Sequence, residues 1–271
     1  MRNQVLLFAG AALSAIALAS AAHAQGMSGG SINARLDEAG DYRLAGADIR
    51  ASGRVAGTLR VAGADFRGDT LEVGRIEGAA ADFTFTGRTG QGGAINAADV
   101  RWTGESGGDL RFNAADFVFD GDVDGRLNAN IADGRVNGTI SELSLNAADL
   151  ELGDSLAVTG DARINAARLT LRGEVDGMLD ASARTIRIAG RAGQVDLYAD
   201  PGRRPRRDTD GLVEITGEIG GGAVCARTVV ISGTVGGTLD VVADEQPRLE
   251  SGASADSVNF TPRDGRRCER A

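Results

Sequence analysis

The sequence has no lysine, and its only histidine, His23, lies in an apolar N-terminal segment. The rest of the chain therefore lacks a P-loop lysine, a lysine Schiff base, a histidine-dependent catalytic triad and a histidine metal site. Aromatic residues form only 4% of the 271 residues, so small and branched apolar side chains must fill the core. Four prolines against 40 glycines favour ordered turns over proline-rich disorder.

The charge balance is acidic, with a formal net charge of −9. Nucleic-acid binding requires cationic side chains that neutralise phosphates, so this balance disfavours a general nucleic-acid partner. No residue pattern in the chain indicates a cofactor, and none identifies a reaction. We therefore predict a protein without enzymatic activity, cofactor or nucleic-acid partner.

The first 24 residues have the pattern of a cleavable signal peptide. Arg2 supplies the positive charge, residues 5–22 supply the apolar segment, and residues 22–24 form an Ala-His-Ala cleavage site before Gln25. No cysteine follows the site for lipid attachment, and no later segment approaches the ~20 apolar residues of a transmembrane helix. We predict export to the periplasm or beyond, with a retained N-terminal membrane anchor as the alternative.

Aspartate recurs at one fixed interval through the first half of the chain. The positions are Asp48, Asp65, Asp82, Asp99, Asp116 and Asp133. A fixed interval of this kind indicates one small unit stacked on itself. Within a unit, such as residues 116–131, apolar residues or glycines alternate with polar ones, as in a strand with one buried face. The sequence predicts an all-β fold, a single-stranded parallel β-helix of about twelve turns.

The interval between neighbouring aspartates, such as Asp48 and Asp65, is an odd number of residues. An odd interval cannot preserve a two-residue alternation, so each turn must shift by one residue at a corner. The Ala-Ala-Asp steps, such as residues 97–99, are the predicted corners, because aspartate favours turns. Like residues then stack in columns through the core. One predicted column contains Phe66, Phe83, Val100 and Phe117, and its neighbour contains Phe85, Trp102 and Phe119.

The predicted organisation has four parts. After the signal peptide at 1–24, residues 25–44 form an N-terminal cap segment. Residues 45–260 form the β-helix, interrupted by a basic loop at 201–210 and by loose register near 142–160. Residues 261–271 form a polar tail.

Two glycine-punctuated passages, residues 173–181 (GEVDGMLDA) and 233–243 (GTVGGTLDVVA), resemble the repeat of the bactofilin family. The resemblance is closest over about residues 165–245. Adhesin repeats of exported bacterial proteins are similar to these passages as well. It implies a right-handed β-helix that polymerises end to end without nucleotide and acts as a scaffold for envelope proteins. Bactofilins are typically cytoplasmic, so this chain would be an exported variant.

The basic loop contains the candidate ligand-binding residues. They are Arg203, Arg204, Arg206 and Arg207. Arginine pairs with oxyanions in a bidentate manner, so the loop is suited to an anionic envelope component such as lipid phosphate or an acidic glycan. The alternative is a solvated insertion on the side of the rod.

Cys225 and Cys268 are the only cysteines, and in an oxidising compartment they would form a disulfide. Such a bond would pin the tail across the C-terminal turns. The alternative is a free Cys225 in an inward column, in register with Val241, and an unrelated free thiol at Cys268.

Three stacked features have a structural and a functional interpretation. The aspartates either cap their own corners or hold a divalent cation such as Ca²⁺. Asn96, Asn113 and Asn130 keep the same spacing as the aspartates and indicate a stabilising amide ladder. Trp102 has the parity of a core residue rather than of a sugar-stacking surface. We predict no metal site.

These patterns support a scaffold protein that associates with itself through the ends of the rod. A monomeric, adhesin-like binding module that uses the basic loop is the alternative, and an enzyme acting on polysaccharides is the third hypothesis. Charges near the two ends fit either head-to-tail contact or capping. They are Asp37, Glu38 and Asp41 at the start, and Arg263, Arg266, Arg267 and Arg270 at the finish.

Overall fold

The computed structural model describes residues 25–199, 211–264 and 268. All the elements in these ranges are β-strands, and they form one parallel sheet that coils through about 13 turns. The predicted all-β parallel β-helix is confirmed, with about one turn more than expected. At about 4.8 Å per turn, the rod is about 60 Å long.

The strands follow the chain around successive turns. The first nine are β1 (Gln25–Glu38), β2 (Tyr42–Ala79), β3 (Asp82–Thr89), β4 (Gly93–Asn96), β5 (Asp99–Ser106), β6 (Leu110–Asn113), β7 (Asp116–Asn130), β8 (Asp133–Asn146) and β9 (Asp149–Val158). The next six are β10 (Ala162–Asn165), β11 (Arg168–Leu171), β12 (Glu174–Ala183), β13 (Thr185–Ile188), β14 (Arg191–Ala199) and β15 (Leu212–Ile215). The last six are β16 (Glu218–Ile219), β17 (Gly222–Ala226), β18 (Thr228–Ile231), β19 (Thr234–Ala243), β20 (Arg248–Leu249) and β21 (Ser254–Pro262).

Each turn pairs in parallel with the next turn at a ~17-residue spacing, as Asp99 does with Asp116. The register loosens where the sequence predicts it. The step from Asn130 to Asn146 is one residue short of the regular spacing, and the step from Asn146 to Asn165 exceeds it by two. A much longer step joins Ile188 to Ile215 and spans the predicted loop at 201–210, which lies outside the described residues.

The two predicted aromatic columns are confirmed. Phe66 packs on Phe83 with ring centroids 4.7 Å apart, and Phe85 stacks on Trp102 at 4.2 Å. Both columns become aliphatic towards the C-terminus. Because each buried side chain of this size stabilises the fold by about 1.5–3 kcal/mol, the stacked columns are the main source of stability.

The shift in alternation occurs at the predicted Ala-Ala-Asp corners. Ala98 and Asp99 both point outward, and their two backbone N–H groups donate to the same carbonyl, that of Ala81, at 2.9 Å each. Val100 then points inward again. Two successive outward residues therefore absorb the odd residue of each turn.

The helix begins earlier than the sequence predicts. Residues 25–44, expected as a cap segment, contain β1, which pairs with β2 in the regular register from Gln25 onward. Ile32 and Leu36 point into the core with only 4% exposure each. The turn escaped recognition because serine, at position 31, occupies the place of the repeating aspartate.

Candidate functional site

The four arginines of the predicted ligand-binding loop lie outside the described residues. The described flanks of the loop, Ala199 and Gly211, lie at one corner of the rod. β14 ends at Ala199 where other turns have their Ala-Ala corner, and the chain returns at Gly211, whose N–H donates to the carbonyl of Arg184 at 2.6 Å. An insertion at a corner leaves the pairing of the adjacent strands intact.

Cys225 and Cys268 are joined by a disulfide with a Cα–Cα distance of 5.6 Å. The inward position expected for Cys225 is wrong. Its register partner is Val242 rather than Val241, and its side chain is half-buried on the outer surface. The reason is that Gly222 takes the core position opposite Leu239, which shifts the parity of the strand by one residue.

The disulfide holds Cys268, in the predicted tail, against the side of the rod. At the start of the tail, Arg263 donates its backbone N–H to the carbonyl of Ala243 at 2.8 Å, and its guanidinium pairs with the Asp244 carboxylate at 2.8 Å. Cys225, which binds Cys268, lies two turns before Thr261 in the same column. Cys268 therefore lies back along the rod and away from its C-terminal end.

The repeating aspartates form a register-matched column. Asp65, Asp82, Asp99 and Asp116 pair one after another, and the column continues through Asp133 to Asp149. The carboxylate of Asp149 pairs with Arg168 one turn further on. Within the described ranges, no three His, Cys, Asp or Glu side chains are arranged to hold a metal ion.

A second set of aspartates, which sequence reasoning missed, joins successive turns. The Asp109 carboxylate accepts the backbone N–H of Arg126 at 2.9 Å, one turn later. Asp41, Asp122 and Asp161 accept backbone N–H groups in the same way. A Cβ on Gly125 would lie 2.6 Å from the carboxylate oxygen of Asp109, which explains the glycine before Arg126. The sequence signal for this contact is a glycine that follows each of these aspartates at a spacing one residue shorter than a full turn.

Asp41 is the clearest electrostatic case. Its pKa is lowered mainly by the hydrogen bond from the backbone N–H of Thr58 and next by the hydrogen bond from Arg60. Arg60 also pairs with Glu77 and so bridges three successive turns. The role of these groups is to join turns.

The predicted asparagine ladder is confirmed and is longer than expected. Asn113 donates its side-chain amide to Asn96 at 2.8 Å, and Asn130 donates to Asn113 at 3.0 Å. Asn146 and Asn165 continue the series in the same direction. The predicted core position of Trp102 is also confirmed, because its side chain is fully buried.

The N-terminal turn has a strand edge without a described partner and one exposed core side chain. β1 pairs with β2, and no other described strand covers its opposite edge. Met27 continues the core column of Leu44, yet it is 43% exposed whereas Leu44 is fully buried. At this end of the rod, Met27 is exposed beside a strand edge that has no described partner, whereas Ile32, Ala34 and Leu36 of the same strand are buried.

The C-terminal turn has the same character. β20 pairs with β18 and β21 pairs with β19, and in the described part of the chain neither strand has a partner beyond. Leu249 continues the core column of Ile231 but is 54% exposed, and Val258 and Phe260 are only partly buried. At the two ends of the rod, Met27 and Leu249 are exposed although their columns are buried in the turns between them.

The charges that the sequence places near the ends are partly engaged within the molecule. Asp41 pairs with Arg60, and Arg263 pairs with Asp244. Arg266, Arg267 and Arg270 lie outside the described residues.

No protein-family model, no curated protein and no solved structure matches this chain. The described residues also include no helix long and apolar enough to cross a membrane. The geometry of the chain itself therefore provides the basis for assigning a function.

Proposed function

We propose that this protein is a non-enzymatic scaffold of the bacterial cell envelope, an exported bactofilin-like β-helical rod that associates with itself through its ends. The observation that carries the proposal is the exposure of Met27 and Leu249, at 43% and 54%, in columns that are buried in the turns between them. Each lies beside a strand edge that has no described partner.

The physical motive is the cost of leaving such a surface in water. Unpaired N–H and C=O groups along a strand edge are a template for pairing with another chain. Pairing one end turn with another copy would satisfy these groups and bury the exposed side chains in the same step. Burial contributes about 25 cal/mol for each Å² of apolar surface removed from water.

The side of the rod offers a contrasting surface. Its turns are joined by ion pairs and hydrogen bonds that already have partners within the molecule, such as Arg187 with Glu214. Side-by-side contact would compete with these pairs, whereas end-to-end contact uses groups that lack a described partner. Association along the axis is therefore favoured over lateral association.

The disulfide supports the exported location. Disulfides persist in oxidising compartments such as the periplasm and are rare in the cytosol. Counting free thiols by mass spectrometry in protein isolated under native conditions tests this point. We expect no free thiol before reduction and two after it, and two free thiols before reduction would contradict the oxidising location.

The direct test of the proposal is negative-stain electron microscopy with sedimentation of the chain from Gln25 to Ala271 over a range of concentrations. We expect filaments of uniform width whose length increases with concentration. A monodisperse rod at every concentration would contradict the scaffold proposal and would make the four loop arginines the next candidates for function.

A matched pair of variants assigns the effect to the ends. Leu249 and Met178 are exposed to a similar extent, 54% and 46%, but Met178 lies in a middle turn and points to the side. Leu249→Arg should abolish association, because it places a charge on the end surface. Met178→Arg should leave association unchanged, and equal effects of the two variants would exclude end-to-end contact.

A further inference from the structure

We propose that the side of the rod carries a binding site for an acidic acetamido sugar, a sugar that has both an amide and a carboxylate. The site is the groove lined by Asn165, Ser182, Arg184 and Tyr198. Its volume of about 580 Å³ is in the range of small-molecule sites. This site goes beyond the proposed association through the ends and does not depend on it.

The groove lies where the asparagine ladder ends. The column of the ladder passes from Asn146 to Asn165 and then, in the next two turns, to Ser182 and Tyr198. Serine is shorter than asparagine, and among the described residues no hydrogen bond joins the side chains of Ser182 and Asn165. Ser182 therefore interrupts the series of amide contacts and leaves space above Asn165.

The ladder has a direction, and its last amide keeps an acceptor available. Each asparagine donates its side-chain amide to the Oδ1 atom of the preceding asparagine, as Asn165 does to Asn146 at 3.1 Å. The Oδ1 atom of Asn165 accordingly faces the turn of Ser182, and no described protein group donates to it. An amide N–H of a ligand would supply this donor, and its carbonyl could accept from the Ser182 hydroxyl.

Arg184 gives the groove a positive charge. The equivalent corner position in the two preceding turns is alanine, because the N–H of Arg184 donates to Ala167 and that of Ala167 donates to Ala148. The side chain of Arg184 is exposed and has no ion pair in the part of the chain that the structure describes, whereas the nearby Arg168 pairs with Asp149. An arginine in this state is suited to bind a ligand carboxylate in a bidentate manner.

Tyr198 and Cys268 line the groove beyond Ser182. The hydroxyl of Tyr198 donates to Asp196 at 3.2 Å, and the side chain is half-buried. Cys268 is held here by its disulfide with Cys225, which follows Tyr198 in the same column. Small-molecule sites combine aromatic contact with a few well-placed polar groups. A ring that carries an amide and a carboxylate matches this set of side chains.

A comparison of sugars tests the ligand class. N-acetylmuramic acid and N-acetylneuraminic acid carry both groups, whereas N-acetylglucosamine has only the amide and glucuronic acid only the carboxylate. In NMR titrations of the purified protein, we expect at least one of the two acidic acetamido sugars to bind about tenfold more tightly than either control, because a hydrogen bond to a charged group contributes this much. Equal affinities for all four sugars, or no binding of the first two, would overturn the proposal.

Ser182→Asn is the most specific variant, because asparagine at this place would extend the ladder. Its amide would donate to the Oδ1 atom of Asn165 and fill the groove, so sugar affinity should fall by about tenfold or more. The melting temperature should stay the same or rise. Ser52→Asn is the matched control at another half-buried serine, in a distant turn, and should leave affinity unchanged. Undiminished binding by Ser182→Asn would contradict the site.

Arg184→Gln tests the carboxylate contact at an exposed position where the fold should tolerate the change. We expect about a tenfold loss of affinity for the acidic acetamido sugar and no change for N-acetylglucosamine. Arg111→Gln is the control, because Arg111 is also exposed and lacks an ion pair within the described ranges. Equal effects of the two variants would exclude Arg184 from the site.

The source of the sugar is distinguished with N-acetylneuraminic acid and its linear polymer, colominic acid. Tighter binding of the polymer, compared per sugar unit, would support the site and identify a polysaccharide as its source. Binding of the monosaccharide alone would support the site and identify a free sugar. Polymer binding that Ser182→Asn and Arg184→Gln both leave unchanged would overturn the proposal, because the polymer would then bind elsewhere.

Discussion

The middle turns and the end turns of this rod are built on the same repeat but differ in their surroundings. Trp102 and Leu249 occupy the same core column, yet Trp102 is fully buried and Leu249 is 54% exposed. A middle strand such as β5 has partners on both sides, β3 and β7, whereas β1 and β21 have one described partner each. The difference arises from a missing neighbour and not from a different kind of residue.

This contrast separates stability from function within one architecture. Middle turns bury their columns completely, so their residues serve the fold. In the end turns, Met27 and Leu249 belong to columns that are buried elsewhere but are 43% and 54% exposed, which motivates the proposal that these turns associate. In stacked-repeat proteins, stability is approximately a sum of contributions from repeats and from the interfaces between neighbours. The same substitution should therefore have different effects in the two regions.

The largest expected effect is in the middle of the rod. Trp102→Ala should lower the free energy of unfolding by about 3–5 kcal/mol, because it removes a fully buried ring and leaves a cavity. Leu249→Ala, in the same column, should cost about 1 kcal/mol or less, because half of that side chain is already in water. Urea unfolding monitored by circular dichroism measures both, and equal losses would contradict the proposed difference.

Loss of the disulfide should be the next largest effect. Closing a loop with a sequence separation of 43 residues contributes about 4 kcal/mol in the chain-entropy model. Cys268→Ser should lower stability by up to this amount and should increase hydrogen exchange in β19 and β21. In β5 and β7, amide exchange that occurs through local opening, rather than through global unfolding, should not change. A uniform increase in exchange along the rod would contradict a local role of the disulfide.

A pair of glycine substitutions distinguishes close packing from backbone strain. Gly138, in a middle turn, has φ +100°, and a Cβ there would lie 1.9 Å from the carbonyl oxygen of Gly121. Gly138→Ala should cost at least about 2 kcal/mol. Gly252, in the end turn, has a similar φ of +98° but open space around it, so Gly252→Ala should cost only about 1 kcal/mol. Thermal and urea unfolding of both variants would show whether the steric contact matters.

The smallest expected effect concerns the asparagine ladder. Asn130 makes two side-chain hydrogen bonds within the ladder, whereas Asn96, at its end, makes one. Asn130→Ala should therefore cost about 1 kcal/mol and Asn96→Ala about half of that. Equal costs would indicate that the ladder follows the fold without stabilising it.

The repeat was predictable because its signal is periodic and redundant. Six aspartates at one interval established the turn length, and alternation within residues 116–131 identified the inward side chains, including Phe117 and Phe119. The amide ladder and the aromatic columns followed from the same spacing. These features depend on local pattern, which the chain carries at many positions at once.

The remaining features depend on single positions where the pattern is weak. Serine at position 31 replaces the marker aspartate, so the pattern predicts a cap where the structure has a regular turn. The glycine run before Cys225 hides which residue takes the core position, so the pattern predicts the wrong face of the strand for Cys225. Asp109 and its equivalents accept backbone N–H groups one turn away, a contact that becomes visible only when turns are stacked. The sequence predicts association through the ends of the rod, but which side chains are exposed there, Met27 and Leu249, is visible only when the turns are stacked.

Hydrogen–deuterium exchange at several protein concentrations tests the central claim most directly. The account predicts that amides of β1 and β21 exchange rapidly in dilute protein and become protected as concentration rises, because the end turns pair with other copies. Amides of β5 and β7 should be protected at every concentration. Exchange at both ends that does not change with concentration would contradict the claim that the ends are the associating surfaces.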